Sequence, residues 1–525
     1  MPTETPVVPS NTLVSTNPAT GEALAELTCA SAEDVHRAVL RARDAQVAWR
    51  ERSTRDRVAV LRKFQQLLNG RRDQVSSLIC RESGKPAVEA LITEVLVVLD
   101  SAEFCIRTAQ RFLRDEPLPH ANPAMKAKRG KLIREPYGVI GIISPWNYPF
   151  SIASTETLSA LVAGNAVVLK PSEFTSLVAL ELRKILLDAD LHPDLMQVIV
   201  GEGPVGAALI ESPIDKLIFT GSVTTGRRVA EAAAERLLPV VLELGGKDPM
   251  IVLGDANLDV ASSGAVWGAF LNAGQTCLSV ERCYVHRSLY ERFLKACRHK
   301  TAKLRVGNGI DSEIEVGPLI HERQLQKVEE HVKDAVQRGA RLLHGGERLP
   351  QLGPNFFAPT LLADVTHDMR LMRQETFGPV LPVAPFDTDA EAISLANDSD
   401  FGLSASIWTG NRQRGEAMAT KINSGTVLVN DVITCFGIAE APHGGFKLSG
   451  MGRTHGKTGM SEMVQLKYVG TDLLPNMPKP WWYGYGQNLY RQMNSFIDVL
   501  FTPGGRAKLR GALDCIRLLR RRNRI

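Results

Sequence analysis

The feature that most restricts the fold is an alternation of short apolar runs and helical stretches between residues 139 and 243. The runs are Val139-Ile140-Gly141-Ile142-Ile143, Ala166-Val167-Val168-Leu169, Gln197-Val198-Ile199-Val200, Lys216-Leu217-Ile218-Phe219 and Val240-Val241-Leu242. Helical segments separate them, one reaching Gly164 and another running from about Ser176 to Leu187. Strands that are apolar throughout and joined by helices need cover on both faces, which is the pattern of a parallel sheet. Such a sheet receives ligands beyond the carboxyl ends of its strands, so the residues just past each run are the first candidates for chemistry.

The flanking regions follow other patterns. Residues 31–113 read as helices: Ser31 can cap a run with Val35, Ala38, Val39 and Ala42 on one face, and Val58-Leu61-Phe64-Leu67-Leu68 repeats that spacing. From about 114 to 137, Pro117, Pro119, Pro123 and Pro136 punctuate a polar, basic excursion. A second alternating block includes Ile251-Val252-Leu253, helices near 287–303 and 321–338, and Thr426-Val427-Leu428-Val429. The boundaries expected are 1–114, 115–137, 138–246, 247–460, 461–473 and a tail, 474–525.

Composition excludes several classes. With 44% hydrophobic residues and a formal charge of +5, the chain is not disordered. Residues 506–525 hold eight of the 62 basic residues and a single acid, so the remainder carries 54 against 56 and a net charge of −2. A body so nearly neutral is no general nucleic-acid binder. No signal peptide is visible at the start, and no run reaches the roughly 18 apolar residues of a spanning helix. Eight cysteines, at 29, 80, 105, 277, 283, 297, 435 and 515, are dispersed without CxxC pairs, which indicates a reducing compartment, and no metal-ligand pattern is present. A cytoplasmic location is the expectation.

Five motifs carry the chemistry, beside one look-alike that comes first. Gly201-Glu202-Gly203-Pro204-Val205-Gly206 fits GxGxxG, yet the dinucleotide fingerprint wants an acid about 20 residues on, and Thr220 to Gly226 supplies none. Pro145-Trp146-Asn147-Tyr148-Pro149 follows the first strand, and its Asn147 amide suits an oxyanion; a rigid turn is the plainer alternative. Lys170-Pro171-Ser172-Glu173 places a cation and an acid at the next strand end, where a capped helix start would read the same way. Phe219-Thr220-Gly221-Ser222 leads into a helix whose amides favour phosphate. Glu243-Leu244-Gly245-Gly246-Lys247 sets a glutamate among apolar neighbours, a setting that raises its pKa and suits a base. Gly274-Gln275-Thr276-Cys277 offers a thiol among small and polar residues, unlike Cys80 and Cys105 in apolar helical patterns.

Taken in order, these motifs resemble the NAD(P)-dependent aldehyde dehydrogenase superfamily, from Asn17-Pro-Ala-Thr-Gly-Glu to about Val469. Glu375-Thr-Phe-Gly-Pro379, Asn430 and Pro442-His-Gly-Gly-Phe-Lys-Leu-Ser-Gly450 extend the match. The resemblance implies an α/β fold with a Rossmann-type parallel-sheet cofactor domain (138–246, joined by 1–114), an α/β catalytic domain (247–460) and a small oligomerisation arm (115–137 and 461–473). It implies hydrolytic oxidation of an aldehyde, with Cys277 as nucleophile, Glu243 activating water, and Asn147 with the Cys277 amide holding the oxyanion. Lys170 is implied in catalysis or in orienting the cofactor. Cofactor contacts are implied for Trp146, Lys170, Glu173, Gly203, Pro204, Gly221, Ser222, Gly226, Leu244, Gly245, Glu375 and Phe377, with NAD favoured over NADP because a carboxylate at 173 repels a 2′-phosphate. The substrate pocket falls to Tyr148, Thr155, Thr434, Cys435, Phe436 and His443, which suit an aliphatic or aromatic aldehyde. Partners implied are the aldehyde and further copies in a homodimer or homotetramer.

Three departures stand out. His443 replaces an aromatic often found before the Gly-Gly pair, Gln465 stands where some members have a second glutamate, and the chain continues some 50 residues beyond the usual end. In that tail Leu489, Tyr490, Met493, Phe496, Ile497, Leu500 and Phe501 share one helix face, and a basic amphipathic segment with Leu509, Leu513, Ile516 and Leu519 follows. A hairpin packed on protein and an interfacial membrane contact both fit. A non-catalytic or membrane-recruited member led by this tail is the alternative to an enzyme; Cys277, Asn147 and Glu243 are all retained against it.

Overall fold

In the computed structural model, which describes residues 12–479, 481–503, 505 and 511, all five apolar runs are strands of one sheet. They are β1 (Val139–Ile143), β2 (Ala166–Lys170), β3 (Met196–Val198), β4 (Lys216–Thr220) and β5 (Val240–Glu243), in the order β5-β4-β1-β2-β3 with every neighbouring pair parallel. The third run starts one residue earlier than its apolar pattern and stops at Val198, shortly before Gly201 turns the chain at φ +150°. A two-residue strand, Gly450–Met451, adds antiparallel to β5. Side chains of β1 and β2 are buried on both faces, as a helix-covered sheet requires.

The helices follow the sequence periodicity. Ser31 caps Ala32–Glu51 with a full capping box to Asp34, and Val35, Ala38, Val39 and Ala42 are buried. Trp49 Nε1 donates to the Leu161 carbonyl at 2.9 Å and Gln46 to that of Gly164 at 3.0 Å, which ties this helix to Ser151–Ala163.

A second sheet has seven strands in the order Arg341–His344, Thr360–Ala363, Val380–Phe386, Arg282–His286, Pro249–Val252, Ser404–Trp408 and Thr426–Val429. All its neighbours are parallel except the first pair. Residues 244–248 join the two sheets, so β5 feeds directly into the second core. Lys247 in that connector is fully buried against Glu281, whose carboxylate also accepts from the amides of Thr376 and Phe377 at 2.8–3.1 Å.

Residues 115–133 and 466–525 group as a second unit. Glu116–Leu118 and Lys128–Pro136 pair antiparallel in a three-stranded sheet with Val464–Asp472. Within it the Tyr468 hydroxyl meets the His120 ring at 2.9 Å and Lys128 pairs with Asp472 at 3.0 Å. Among the described residues of the tail, Gln487–Phe501 is a helix on which Leu489 is buried while Tyr490, Ile497 and Phe501 are exposed. The basic segment containing Leu509, Leu513, Ile516 and Leu519 lies outside the described residues. Among the described residues no helix is long and apolar enough to cross a membrane.

Candidate active site

Because β1, β2, β4 and β5 run parallel and in register, their carboxyl ends bring the sequence motifs to one edge: Ile143 is level with Lys170 and Phe219, and Thr220 with Glu243. The thiol of Cys277 reaches the same region on a turn from the second core. Asn272, Ala273 and Gly274 all hold left-handed φ, at 52°, 54° and 70°. For Asn272 and Ala273 that conformation costs about 1 kcal/mol each, so the surroundings must hold it. A side chain at Gly274 would sit 2.1 Å from the Gly378 carbonyl, which leaves glycine alone able to occupy the site.

Hydrogen bonds fix that turn. Asn147 Nδ2 donates to the Gln275 carbonyl at 3.0 Å, and Asn272 Nδ2 returns a bond to the Asn147 carbonyl at 3.0 Å. Tyr148 and Thr276 share hydroxyls at 2.7 Å. The Gln275 side chain receives the Ile320 amide at 2.9 Å, and the Asn272 amide donates to Glu89 at 2.8 Å. One N–H of the Asn147 amide is thereby committed, which orients the second.

A cavity of about 460 Å³ opens on this turn. Cys277, Glu243, Leu244, Tyr148, Thr155, Thr434, Phe436 and His443 line it, and the remaining wall is mostly apolar: Ile92, Val97, Ile152, Trp267, Leu271, Ile433 and Ile438. Cys435 stands behind the wall instead, buried with its thiol on the Ile433 carbonyl at 3.5 Å. Its neighbours Thr434 and Phe436 alternate into the cavity, so the short helical turn there sends Cys435 away from it.

Charge inside the cavity is suppressed. Both Glu243 oxygens are buried with no hydrogen-bond partner among the described residues. Burial, and then the nearby carboxyl of Glu156, push the Glu243 pKa well above the usual carboxylate range. Burial likewise raises Glu156 to about 8, and its Oε2 also lacks a partner. His443 Nε2 lies 3.8 Å from Glu243, but burial pushes the imidazole down to about 3, so the two make no ion pair. The Cys277 thiol is held protonated by burial and by surrounding acids, chiefly Asp248, Glu375 and Glu243.

The other predicted residues lie along the sheet edge outside this cavity. Lys170 is buried 3.6 Å from Glu173, and desolvation lowers its pKa against the pull of that carboxylate. Ser222 caps Val223–Glu235 by accepting from the Thr225 amide. Gly226 owes its identity to packing: a side chain there would lie 2.5 Å from Leu244. A side chain at Gly203, the first residue of the helix Gly203–Glu211, would meet nothing within 4 Å, so no contact inside the protein explains that glycine. Pro204 starts the same helix with its fixed φ. Gly245 leaves room for Glu375, whose Oε1 accepts from the Gly246 amide at 3.0 Å and whose pKa burial raises to about 7. Trp146 packs edge-on against Phe377 at 5.5 Å.

Several residues that shape the site left no motif. Lys85 and Glu94 form a fully buried pair at 2.8 Å; Lys85 sits 3.6 Å above the Tyr148 ring, and Glu94 accepts from the amides of Phe150 and Ser151. Glu156 and His455, also in the cavity wall, were invisible for the same reason. The only sequence signal for Glu156 was that it is the lone charged residue of Ser151–Ala163.

Comparison with known proteins agrees with this geometry. The sequence profile described as Aldehyde dehydrogenase family matches residues 7–469. A 4,4'-diapolycopene aldehyde oxidase of Methylomonas sp is 38% identical over 93% of this chain and 91% of its own. A putative succinate-semialdehyde dehydrogenase [NADP(+)] of Mycolicibacterium smegmatis is 39% identical over 88% and 89%. Among solved structures, an NAD-dependent aldehyde dehydrogenase from Sinorhizobium meliloti is similar with a TM-score of 0.86 and 37% identity, covering 90% of this chain and 93% of that one. The NAD+ complex of an aldehyde dehydrogenase from Bacillus cereus gives 0.85 and 35%, covering 88% and 93%.

A proton-accepting Glu243 works only above its raised pKa, so any rate limited by it climbs as pH rises through that value. Glu156→Gln removes one of the two causes of the elevation. The acidic limb of the kcat–pH profile should then move to lower pH, and an unmoved limb would show that Glu156 does not act on Glu243.

Proposed function

The chain belongs to the aldehyde dehydrogenase family, and on that footing we propose that it oxidises an apolar aldehyde to the carboxylic acid with NAD, using Cys277 as nucleophile and Glu243 as the base that activates water. One observation carries this reading: a thiol and an unpartnered carboxyl share a cavity whose other walls are mostly apolar and whose histidines are neutral. No lysine or arginine lines that cavity, which argues against a carboxylate-bearing semialdehyde.

The chemistry follows from the residues. Burial favours the thiol, so its proton leaves to solvent water as Sγ bonds to the carbonyl carbon, and the two unpartnered oxygens of Glu243 stay free for the hydrolytic step. Charge then grows on the carbonyl oxygen, where the uncommitted N–H of Asn147 and the Cys277 amide stabilise it. A nicotinamide held at the sheet edge by Trp146, Leu244, Glu375 and Phe377 would supply the hydride acceptor that this oxidation needs, and Cys277 then carries the thioester. Glu243 next takes a proton from the water that attacks the thioester carbon, and the C–S bond breaks to release the acid. Glu243→Gln should therefore accumulate an acyl-enzyme at Cys277, detectable by mass spectrometry, while Cys277→Ser should abolish turnover. Normal turnover in either variant would overturn the mechanism.

A dinucleotide suits the sheet edge. The open start of the helix at Gly203-Pro204, the Lys170–Glu173 pair, the loop at Gly221-Ser222, and Trp146, Leu244, Gly245, Glu375 and Phe377 would hold it. Gly226 contributes by seating the Val223–Glu235 helix on Leu244 and not by clearing space for phosphate. Glu173 favours ribose hydroxyls over a 2′-phosphate by charge; the Mycolicibacterium smegmatis relative, named for NADP(+), supports the opposite preference. Steady-state kinetics should give at least tenfold higher kcat/KM with NAD, and equal values would reverse the assignment.

The strands of the second unit would serve assembly into a homodimer or homotetramer. The tail would contact a membrane surface, supported by exposed Trp482, Tyr483, Tyr485, Tyr490, Ile497 and Phe501. Full-length protein should co-sediment with anionic vesicles, and the chain lacking residues 476–525 should not. Equal binding by both would sink the membrane role.

A further inference from the structure

The helical segment following Lys85 is inverted in polarity. Its two glutamates, Glu89 and Glu94, face inward, onto the Asn272 amide and onto Lys85 with the amides of Phe150 and Ser151. Every exposed position between residues 87 and 99 is instead apolar: Val88, Leu91, Ile92 and Leu96, at 52%, 38%, 40% and 56% exposure. A surface helix ordinarily arranges these classes the other way round. The inversion coincides with the cavity mouth. Ile92, Trp267 and Ile438 line the cavity and are also exposed, the last two at 39% and 46%, so the cavity opens through them. Val88 and Leu96 flank Ile92 at four-residue steps and carry the apolar surface outward.

We propose that this apolar collar binds the far end of a long-chain aldehyde whose carbonyl reaches Cys277, so that the substrate class is a long hydrocarbon aldehyde and not a short one. The proposal rests on the reading of Cys277 as the nucleophile of this cavity. Continuity argues for this occupant: the exposed positions Val88, Leu91, Ile92 and Leu96 are all apolar, and Ile92 continues them into the cavity that holds the thiol, so a ligand lying on them can also react. The cavity lining holds no lysine or arginine to receive a headgroup or a carboxylate. Exposed apolar surface of this kind marks a binding site more often than chance.

The test is a straight-chain series from propanal to hexadecanal. Each methylene placed on apolar surface should raise kcat/KM about threefold to fourfold, and the rise should continue to the long end. The double variant Val88→Gln/Leu96→Gln should lower the ratio of hexadecanal to propanal kcat/KM by about tenfold, mainly through KM. Val47→Gln, an equally exposed apolar position on Ala32–Glu51, should leave the ratio alone. A profile that is flat beyond the shortest aldehydes, or a double variant that lowers every substrate equally, overturns the collar while leaving the aldehyde chemistry standing. A double variant that changes particle size in light scattering would assign the collar to a second copy and overturn the proposal. If no member of the series is oxidised, the parent reading fails and the collar with it.

Discussion

The carboxylate of Glu281 is the interaction on which the site depends. It is buried, it neutralises the buried Lys247, and it accepts from the amides of Thr376 and Phe377. Those contacts join three separate stretches: the connector that carries Glu243 out of the first sheet, the strand that follows Cys277, and the turn that presents Glu375. Lys247 and those amides hold Glu281 in its charged form despite burial, so its pKa falls where that of Glu243 rises. Taking away one partner of such a pair costs about 3–5 kcal/mol, because the other charge is left stranded. The stretches that carry Glu243, Cys277 and Glu375 are therefore tied together by one arrangement.

The contrast between paired and unpaired acids organises the rest. Glu94 and Glu281 each face a lysine and several amides and act as struts. Glu243 and Glu156 have no cation in contact, and both are buried in the wall of the cavity that holds Cys277. The same side chain is thus charged and rigidly held in one setting and unpaired in the other, and the difference is set by what lies opposite. The segment after Lys85 unites both needs: its inward glutamates hold the nucleophile turn and the start of Ser151–Ala163, which leaves only hydrocarbon to face the cavity mouth.

Much of this was legible in the sequence, for a geometric reason. A parallel sheet presents the carboxyl ends of neighbouring strands at one edge, so motifs at the ends of β1, β2, β4 and β5 had to be neighbours wherever the helices went. Gly274 could be expected to permit a tight turn, but two left-handed residues before it could not, since Asn272 and Ala273 adopt that conformation only because Glu89, Asn147 and Gln275 hold them there. The packing of Gly226 against Leu244 left no mark in the local pattern. Cys435 looked like pocket wall, and a single helical turn rotated it behind Phe436. Such outcomes depend on which face a residue presents to a partner distant in sequence, and local pattern carries no record of that.

By itself the sequence determined the parallel α/β fold and the family, placed Cys277, Glu243 and Asn147 in motifs that point to chemistry, and set off a tail whose charge is foreign to the body. These are properties of residue type, spacing and strand polarity, all of which are written locally. Only the tertiary structure decided that Glu243 is unpartnered, that Glu156 shares its environment, that the cavity histidines are neutral, and that apolar side chains surround the entrance. Each of those depends on what long-range packing places within a few ångströms of a group, and the free energy of a charge or a hydrocarbon surface is set by those neighbours.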